Sequence, residues 1–144
     1  MKLNEEGYKR LHEREGLKLK PYLDTQGVPT IAMGNTYYMD GRKVTMQDKA
    51  LTKQQAEWLS TVTANKFALE VDKLVKSNVN QNQFNALVSL AYNIGLNGFK
   101  NSTVLRLVNA NPDNGKIQDA FMMWTKNTEL IGRRKSEVKQ YFKL

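Results

Sequence analysis

The sequence predicts an α+β fold, and three observations carry that prediction. Residues 20–44 place Pro21, Gly27, Pro29, Gly34 and Gly41 between short alternating segments, the texture of a small antiparallel sheet with tight turns. Thr52-Lys53-Gln54-Gln55 then opens a long apolar-periodic stretch without a breaker. Beyond Asn80 the signals are helix caps and helical periodicity alone. They imply one domain of 144 residues: a small lobe with a sheet (about 16–51), a connecting helix (about 52–76) and a helical lobe (about 80–144), on which an N-terminal helix over 4–15 packs.

Taken in order, Asn4 can cap the first helix, with Glu5 and Glu6 at the positive end of its dipole. Tyr8, Leu11 and Glu15 fall on one face of it, and Gly16 supplies the left-handed residue that ends it. Asp24-Thr25-Gln26-Gly27 has the Asp-first, Gly-fourth pattern of a type I turn. In the strand that follows, Ile31 and Met33 are expected on a core face, and Thr30, Ala32 and Gly34 on a nearly bare one.

Ala56, Leu59, Val62, Phe67, Val71 and Leu74 carry the connecting helix to about Lys76, a rod of roughly 36 Å. Asn80 to Gln83 begins a helix whose Phe84, Leu87, Val88, Leu90, Ala91 and Ile94 leave little polar face, so it belongs at the centre of the helical lobe. Gly95 and Gly98 are expected to break it. Ser102 caps a short helix to about Val108, Asn111 to Gly115 is a turn cluster before a helix ending near Trp124, and the last helix runs from about Gly132 to Phe142.

Composition narrows the function. The chain carries 22 Lys+Arg against 14 Asp+Glu, a formal charge of +8, which draws it to anionic surfaces. Its basic residues are dispersed, as in Lys18/Lys20, Lys73/Lys76 and Arg133/Arg134/Lys135, and no nucleic-acid-binding signature accompanies them. No apolar run is long enough to span a bilayer, and Met1 to Glu6 is too polar for a signal peptide. With no cysteine, one histidine and no phosphate-cradling glycine loop, neither a metal nor a cofactor is expected. His12 reads as a surface or capping residue whose charged form the helix end favours.

That leaves carboxylates. Glu57, Glu70, Asp72, Asp119 and Glu137 read as solvated charges on amphipathic helices. Glu15 does not: it occupies a last turn, where the dipole disfavours a carboxylate, and shares a face with apolar residues. Both effects favour its protonated form, which a general acid needs. Asp24 reads locally as a turn residue bonding its own backbone, and Thr30 as an ordinary strand threonine. Beside Ala32 and Gly34, however, the Thr30 hydroxyl would face a low surface open to a bulky ligand. Two carboxyl groups, one held protonated, are the equipment for cleaving a glycosidic bond.

Glu15, eight residues, Asp24, five residues, Thr30, then Ile31 and Gly34, resembles the active-site segment of the phage-type lysozymes, glycoside hydrolase family 24. "VNQNQFNALVSLAYNIG" (79–95), "GFKNSTVLR" (98–106) and Trp124 followed by "GRRKSEV" resemble later segments of that family in the same order. The resemblance implies a lysozyme-like fold and a muramidase acting on the β-1,4 bond between N-acetylmuramic acid and N-acetylglucosamine, with inversion at the anomeric carbon. It implies Glu15 as general acid, Asp24 as second carboxylate and Thr30 as the residue positioning water. By the same analogy Tyr92 and Ser102 lie along the saccharide cleft and Arg133 approaches Glu15 from the helical lobe; for Tyr92 and Ser102, core packing and a helix cap are the competing readings. A guanidinium beside Glu15 would oppose the burial and dipole effects.

The family usually has glycine at position 32 and histidine at 35. Ala32 is expected to add only a methyl to an open face, while Asn35 removes a group that titrates near neutrality. The implied partner is bacterial peptidoglycan, reached by a monomer that waits in a host cytoplasm and passes the membrane through a separate pore protein, without inserting itself. The competing functions are a lytic transglycosylase, a non-catalytic peptidoglycan-binding protein on a lysozyme scaffold, and a basic nucleic-acid binder. The first needs the glutamate alone, so Asp24 and Thr30 argue against it.

Overall fold

The computed structural model describes residues 1–143, so Leu144, at the end of the expected helical lobe, lies outside the described residues. The chain divides into two compact units, one of residues 8–64 and one of residues 1–7 with 65 onward. The division falls within two helices, α1 (Glu5–Glu15) and α2 (Lys53–Leu74), rather than at their ends.

In the sheet-bearing unit, Gly16 ends α1 at φ 74° with its N–H bonded to the His12 carbonyl. Strand β1 (Lys18–Leu23) pairs antiparallel with β2 (Pro29–Ala32), Tyr22 opposite Thr30 and Leu23 opposite Pro29. The register is irregular between Lys18 and Tyr22, where Pro21 has no N–H for the ladder. The strands are joined by the expected turn: the Gly27 N–H reaches the Asp24 carbonyl at 3.0 Å, with Gly27 at φ 78°.

The strand after that turn does not alternate as expected. Thr30, Ile31, Ala32 and Met33 are all buried, at 2, 0, 1 and 1% exposure, so there is no bare face. The reason is Ala32, at φ 59°, the left-handed region that disfavours a side chain. It turns the chain into a tight loop in which Ile31 and Asn35 exchange both backbone hydrogen bonds. This also overturns the expectation for the alanine, which meets a conformation suited to glycine rather than open space. Its methyl instead joins a core of Ile31, Val44, Ala56 and Leu59, with Leu17, Tyr38 and Leu51 against it.

Helix α2 begins with the expected capping box, Thr52 Oγ1 accepting from the Gln55 N–H and Gln55 Oε1 from the Thr52 N–H. Its 22 residues span about 33 Å. The deeply buried positions are mostly small, Ala56, Ser60, Ala64 and Ala68 at a spacing of four, while Trp58 and Leu69 are exposed. The larger apolar residues of the expected series are only partly buried at Val62, Phe67 and Leu74.

In the helical unit, α3 (Gln81–Ile94) carries a second capping box, Asn80 with Gln83, and is buried without interruption from Gln83 to Ala91. Gly7 of α1 lies against it: a Cβ there would stand 2.6 Å from Asn85 Oδ1, and Asn85 also donates to Asn4, the cap of α1. Gly95 ends α3 at φ 91°, but Gly98 is no breaker. It sits inside α4 (Leu96–Lys100), where its missing side chain leaves room for the Trp124 ring. Helix α5 (Thr103–Ala110), capped by Ser102, and α6 (Ile117–Met122) precede α7 (Thr128–Tyr141), which packs along α3.

Helix α7 starts four residues before the expected Gly132, because Asn127 caps it through the Leu130 N–H. The larger correction is Glu137. Together with Arg134 it is fully buried, not a solvated surface charge. Its carboxylate accepts from Arg134, from Arg133 Nε at 3.2 Å and from Ser89 Oγ at 2.6 Å, and Arg134 also bonds Asn93 and the Trp124 carbonyl. The polar stripe Arg134, Glu137, Gln140 is therefore the inward face of the helix.

Candidate active site

Glu15, Asp24 and Thr30 all belong to the sheet-bearing unit. Glu15 is half-buried in the last turn of α1, four residues after the fully buried Leu11, so the apolar face read from the sequence is real. The chain then reverses at Gly16 into β1, and Asp24 follows that strand as the first residue of the turn.

Asp24 performs the local role expected of a turn aspartate. Its Oδ1 accepts from the Gln26 N–H at 2.8 Å and the Val28 N–H at 2.9 Å. Those bonds fix the carboxylate on a rigid turn, and Oδ2 makes no hydrogen bond to any described residue. A single side chain thus anchors the turn with one oxygen and presents the other.

Thr30 is opposite Tyr22 in the register, and directly opposed residues project to the same face of a sheet. Its Oγ1 donates to the Val28 carbonyl at 2.8 Å, which commits the proton and leaves the oxygen's lone pairs as acceptors. With 2% of its surface exposed, it is not the open hydroxyl expected from the alternation.

One residue missed by the sequence reading connects the three. The half-buried Tyr22 has its phenol held above the usual tyrosine range by burial, then by the negative charge of Glu15 and that of Asp24. Both carboxylates therefore act on the ring that pairs with Thr30. The signal was present in the spacing, since Tyr22 lies two residues before Asp24 at the end of β1. It was overlooked because a strand tyrosine reads as packing.

Behind the β2 loop, Asn35 is buried, accepting from the Met33 N–H at 3.2 Å and donating to Thr63 Oγ1 at 2.6 Å. Neither Asn35 nor Thr63 titrates. His12 is partly buried beside Ser60 Oγ at 3.2 Å. Burial lowers its pKa below 6.5, outweighing the attraction of Glu57, so its charged form is disfavoured, against the expectation from the helix end alone.

The remaining expected site residues lie in the helical unit. Tyr92 stacks at 4.7 Å between ring centroids on Phe67. Ser102 caps α5, accepting from the Leu105 N–H and donating to the Phe99 carbonyl at 2.7 Å, and forms part of a surface depression with Lys100, Thr103, Arg106 and Asn109. Arg133 donates to the Ser89 carbonyl at 3.0 Å and to Glu137. Among the described residues no group of three or more His, Asp or Glu side chains could hold a metal ion, and no helix is long and apolar enough to cross a membrane.

Comparison with known proteins matches residues 12–137 to the phage lysozyme family. The endolysin of Salmonella phage P22 is 34% identical over 95% of this chain and 95% of its own. Among solved structures, an endolysin from Escherichia coli O157:H7 phage FAHEc1 superposes with a TM-score of 0.89 at 33% identity, covering 99% of this chain and 94% of that one. The muramidase domain of SpmX from Asticaccaulis excentricus gives a TM-score of 0.85 at 27% identity, covering 99% of this chain and 99% of that one.

Proposed function

The chain belongs to the phage lysozyme family and is a glycoside hydrolase of the lysozyme class, and from that premise we propose that it acts as an endolysin on bacterial peptidoglycan, cleaving the β-1,4 bond between N-acetylmuramic acid and N-acetylglucosamine. Glu15 gives its proton to the glycosidic oxygen as the C–O bond breaks. Water adds to the opposite face of the anomeric carbon and passes its proton to Asp24. Thr30, its own proton committed to the Val28 carbonyl, accepts a hydrogen bond from that water. Tyr92 and Ser102 contact the saccharide. The net charge of +8 concentrates the enzyme on an anionic envelope once a separate pore protein has released it.

The observation that most supports this reading is that the α1 end, the Asp24 turn and the β2 strand bring Glu15, Asp24 and Thr30 to one small two-stranded sheet. The test is turbidity clearing of purified peptidoglycan by the wild type beside Glu15→Gln. Loss of about 10²–10⁴-fold is expected, with wall binding retained. Unchanged lysis refutes the acid, and a 1,6-anhydro product end instead of a normal reducing end establishes a transglycosylase. Inversion predicts an α-anomer as the first product by NMR and a carboxyl separation of about 6.5–9.5 Å, against about 5–5.5 Å for retention.

A further inference from the structure

We propose that the depression beside Ser102 is a subsite for the peptide carried on the glycan, in which Lys100 and Arg106 receive the peptide's free carboxylates. The inference rests on the reading that Ser102 contacts the saccharide of peptidoglycan, and it adds the part of the substrate that is not sugar. Lys100 ends α4, Ser102 caps α5, and Arg106 stands one turn further along α5. All three line one depression of about 300 Å³ within the helical unit.

The polar groups around it divide by what they already hold. Asn109 is committed at both ends of its amide, accepting from the Lys76 N–H at 2.7 Å and donating to the Leu74 carbonyl at 3.1 Å. Ser102 is engaged by the Leu105 N–H and the Phe99 carbonyl, and Asn101 donates to the Asn97 carbonyl. The exposed side chains of Lys100 and Arg106 make no hydrogen bond or ion pair with any described residue, and no carboxylate lines the depression. A hollow with two such cations and no acid selects an anion. The planar guanidinium matches a carboxylate bidentately, and the ammonium adds a point charge beside it.

The peptide stems of peptidoglycan supply such anions. The lactyl group of N-acetylmuramic acid carries a short peptide with free carboxyl groups on its D-glutamate and at its end. A sugar held against Ser102 delivers that peptide to the neighbouring hollow. The volume corresponds to roughly ten waters, the scale of the end of a short peptide rather than of a folded partner.

The test measures kcat/KM on peptide-bearing glycan strands, on the same strands stripped of peptide by an amidase, and on strands whose peptide carboxyl groups are capped as amides. The wild type should favour the peptide-bearing strands over both others. In Lys100→Gln/Arg106→Gln that preference should fall about two- to thirtyfold, the range for two partly solvated ion pairs, through KM rather than kcat. Lys116→Gln/Lys126→Gln removes the same charge from exposed positions elsewhere in the helical unit and should keep the preference. Independently of turnover, the free stem peptide should shift the NMR signals of the Arg106 guanidinium and the Thr103 amide, and its amidated form should not.

An equal preference in the wild type and Lys100→Gln/Arg106→Gln overturns the inference, as does a stem peptide that shifts neither signal. A loss reproduced by Lys116→Gln/Lys126→Gln assigns the effect to net charge and overturns it too. So does a loss that persists on amidase-stripped wall still carrying phosphodiester polymer, which would make the hollow a phosphate site. If the wild type cleaves none of the strands, the failure lies in the proposed function, and the peptide titration alone decides the subsite.

Discussion

The two units treat the same functional group in opposite ways. In residues 8–64, Glu15 and Asp24 stay half-buried at the ends of short elements, each held by local backbone geometry. In the helical unit, Glu137 is fully buried and surrounded by Arg133, Arg134 and Ser89. A carboxylate saturated with donors has no lone pair to offer a substrate, whereas one left partly solvated at a turn keeps one. The difference teaches that burial and function separate here: the most deeply buried acid ties α3 to α7, and the candidate catalytic acids sit where packing is thinner.

The widest break in that comparison is Glu137→Ala. Removing one partner leaves buried guanidinium charge uncompensated, at a cost of about 3–5 kcal/mol. For a chain of this size that lowers the melting temperature by roughly 10 °C, measurable by calorimetry. Glu15→Gln is the mirror case, with little loss of stability and the large loss of lysis given above. A Glu137→Ala protein as stable as the wild type would mean that the buried network contributes nothing to cohesion.

Next in size is the loop between the strand and Asn35. Ala32 pays about 1–2 kcal/mol for its left-handed backbone, but it buries a methyl worth about 0.8 kcal/mol and restricts the unfolded chain by about 0.4–1 kcal/mol relative to glycine. These terms nearly cancel, so Ala32→Gly should leave the denaturation midpoint almost unchanged. Ala32→Val adds a branched side chain to a filled core and should cost about 1–3 kcal/mol by urea unfolding. Strong stabilisation by glycine would show that the methyl is not packed.

How much of this was legible in the sequence follows from how local each feature is. The caps at Asn4, Thr52, Asn80 and Ser102 and the stop at Gly16 were readable because a cap needs only residues within one turn of itself. The Asp24 turn was readable for the same reason. Glu137 was not, since its burial depends on α3, where Ser89 donates to it from nearly fifty residues away, and beside Arg133 and Arg134 alone it resembles any ion-paired glutamate on a helix surface. Ala32 was misread because alternation assumes an extended backbone, and alanine gives no sign that it has left that region. Tyr22 needed the strand register, which periodicity alone does not supply.

Asn35 is expected to matter by about 1–3 kcal/mol. Asn35→Ala removes two buried side-chain hydrogen bonds, the one accepted from the Met33 N–H and the one donated to Thr63 Oγ1, each worth about 0.5–1.5 kcal/mol. Because neither Asn35 nor Thr63 titrates, the penalty should be the same at pH 5 and pH 8. A penalty that changed between those values would place a titrating group in contact with the pair.

His12 provides the smallest effect and the clearest sign. Burial lowers its folded pKa below 6.5, so between the two values the unfolded chain binds more protons than the folded one. Stability from this site is therefore complete above the unfolded pKa and is lost as pH falls through the folded one. Helix end and Glu57 both pull the other way, which keeps the slope shallow. Melting temperatures of the wild type should decline from about pH 7 downward more steeply than those of His12→Gln, which keeps a polar group near Ser60 without the charge. Parallel curves over that range would mean that His12 titrates alike in both states, and that the sheet-bearing unit, unlike its helical counterpart, leaves even its partly buried ionisable groups in contact with solvent.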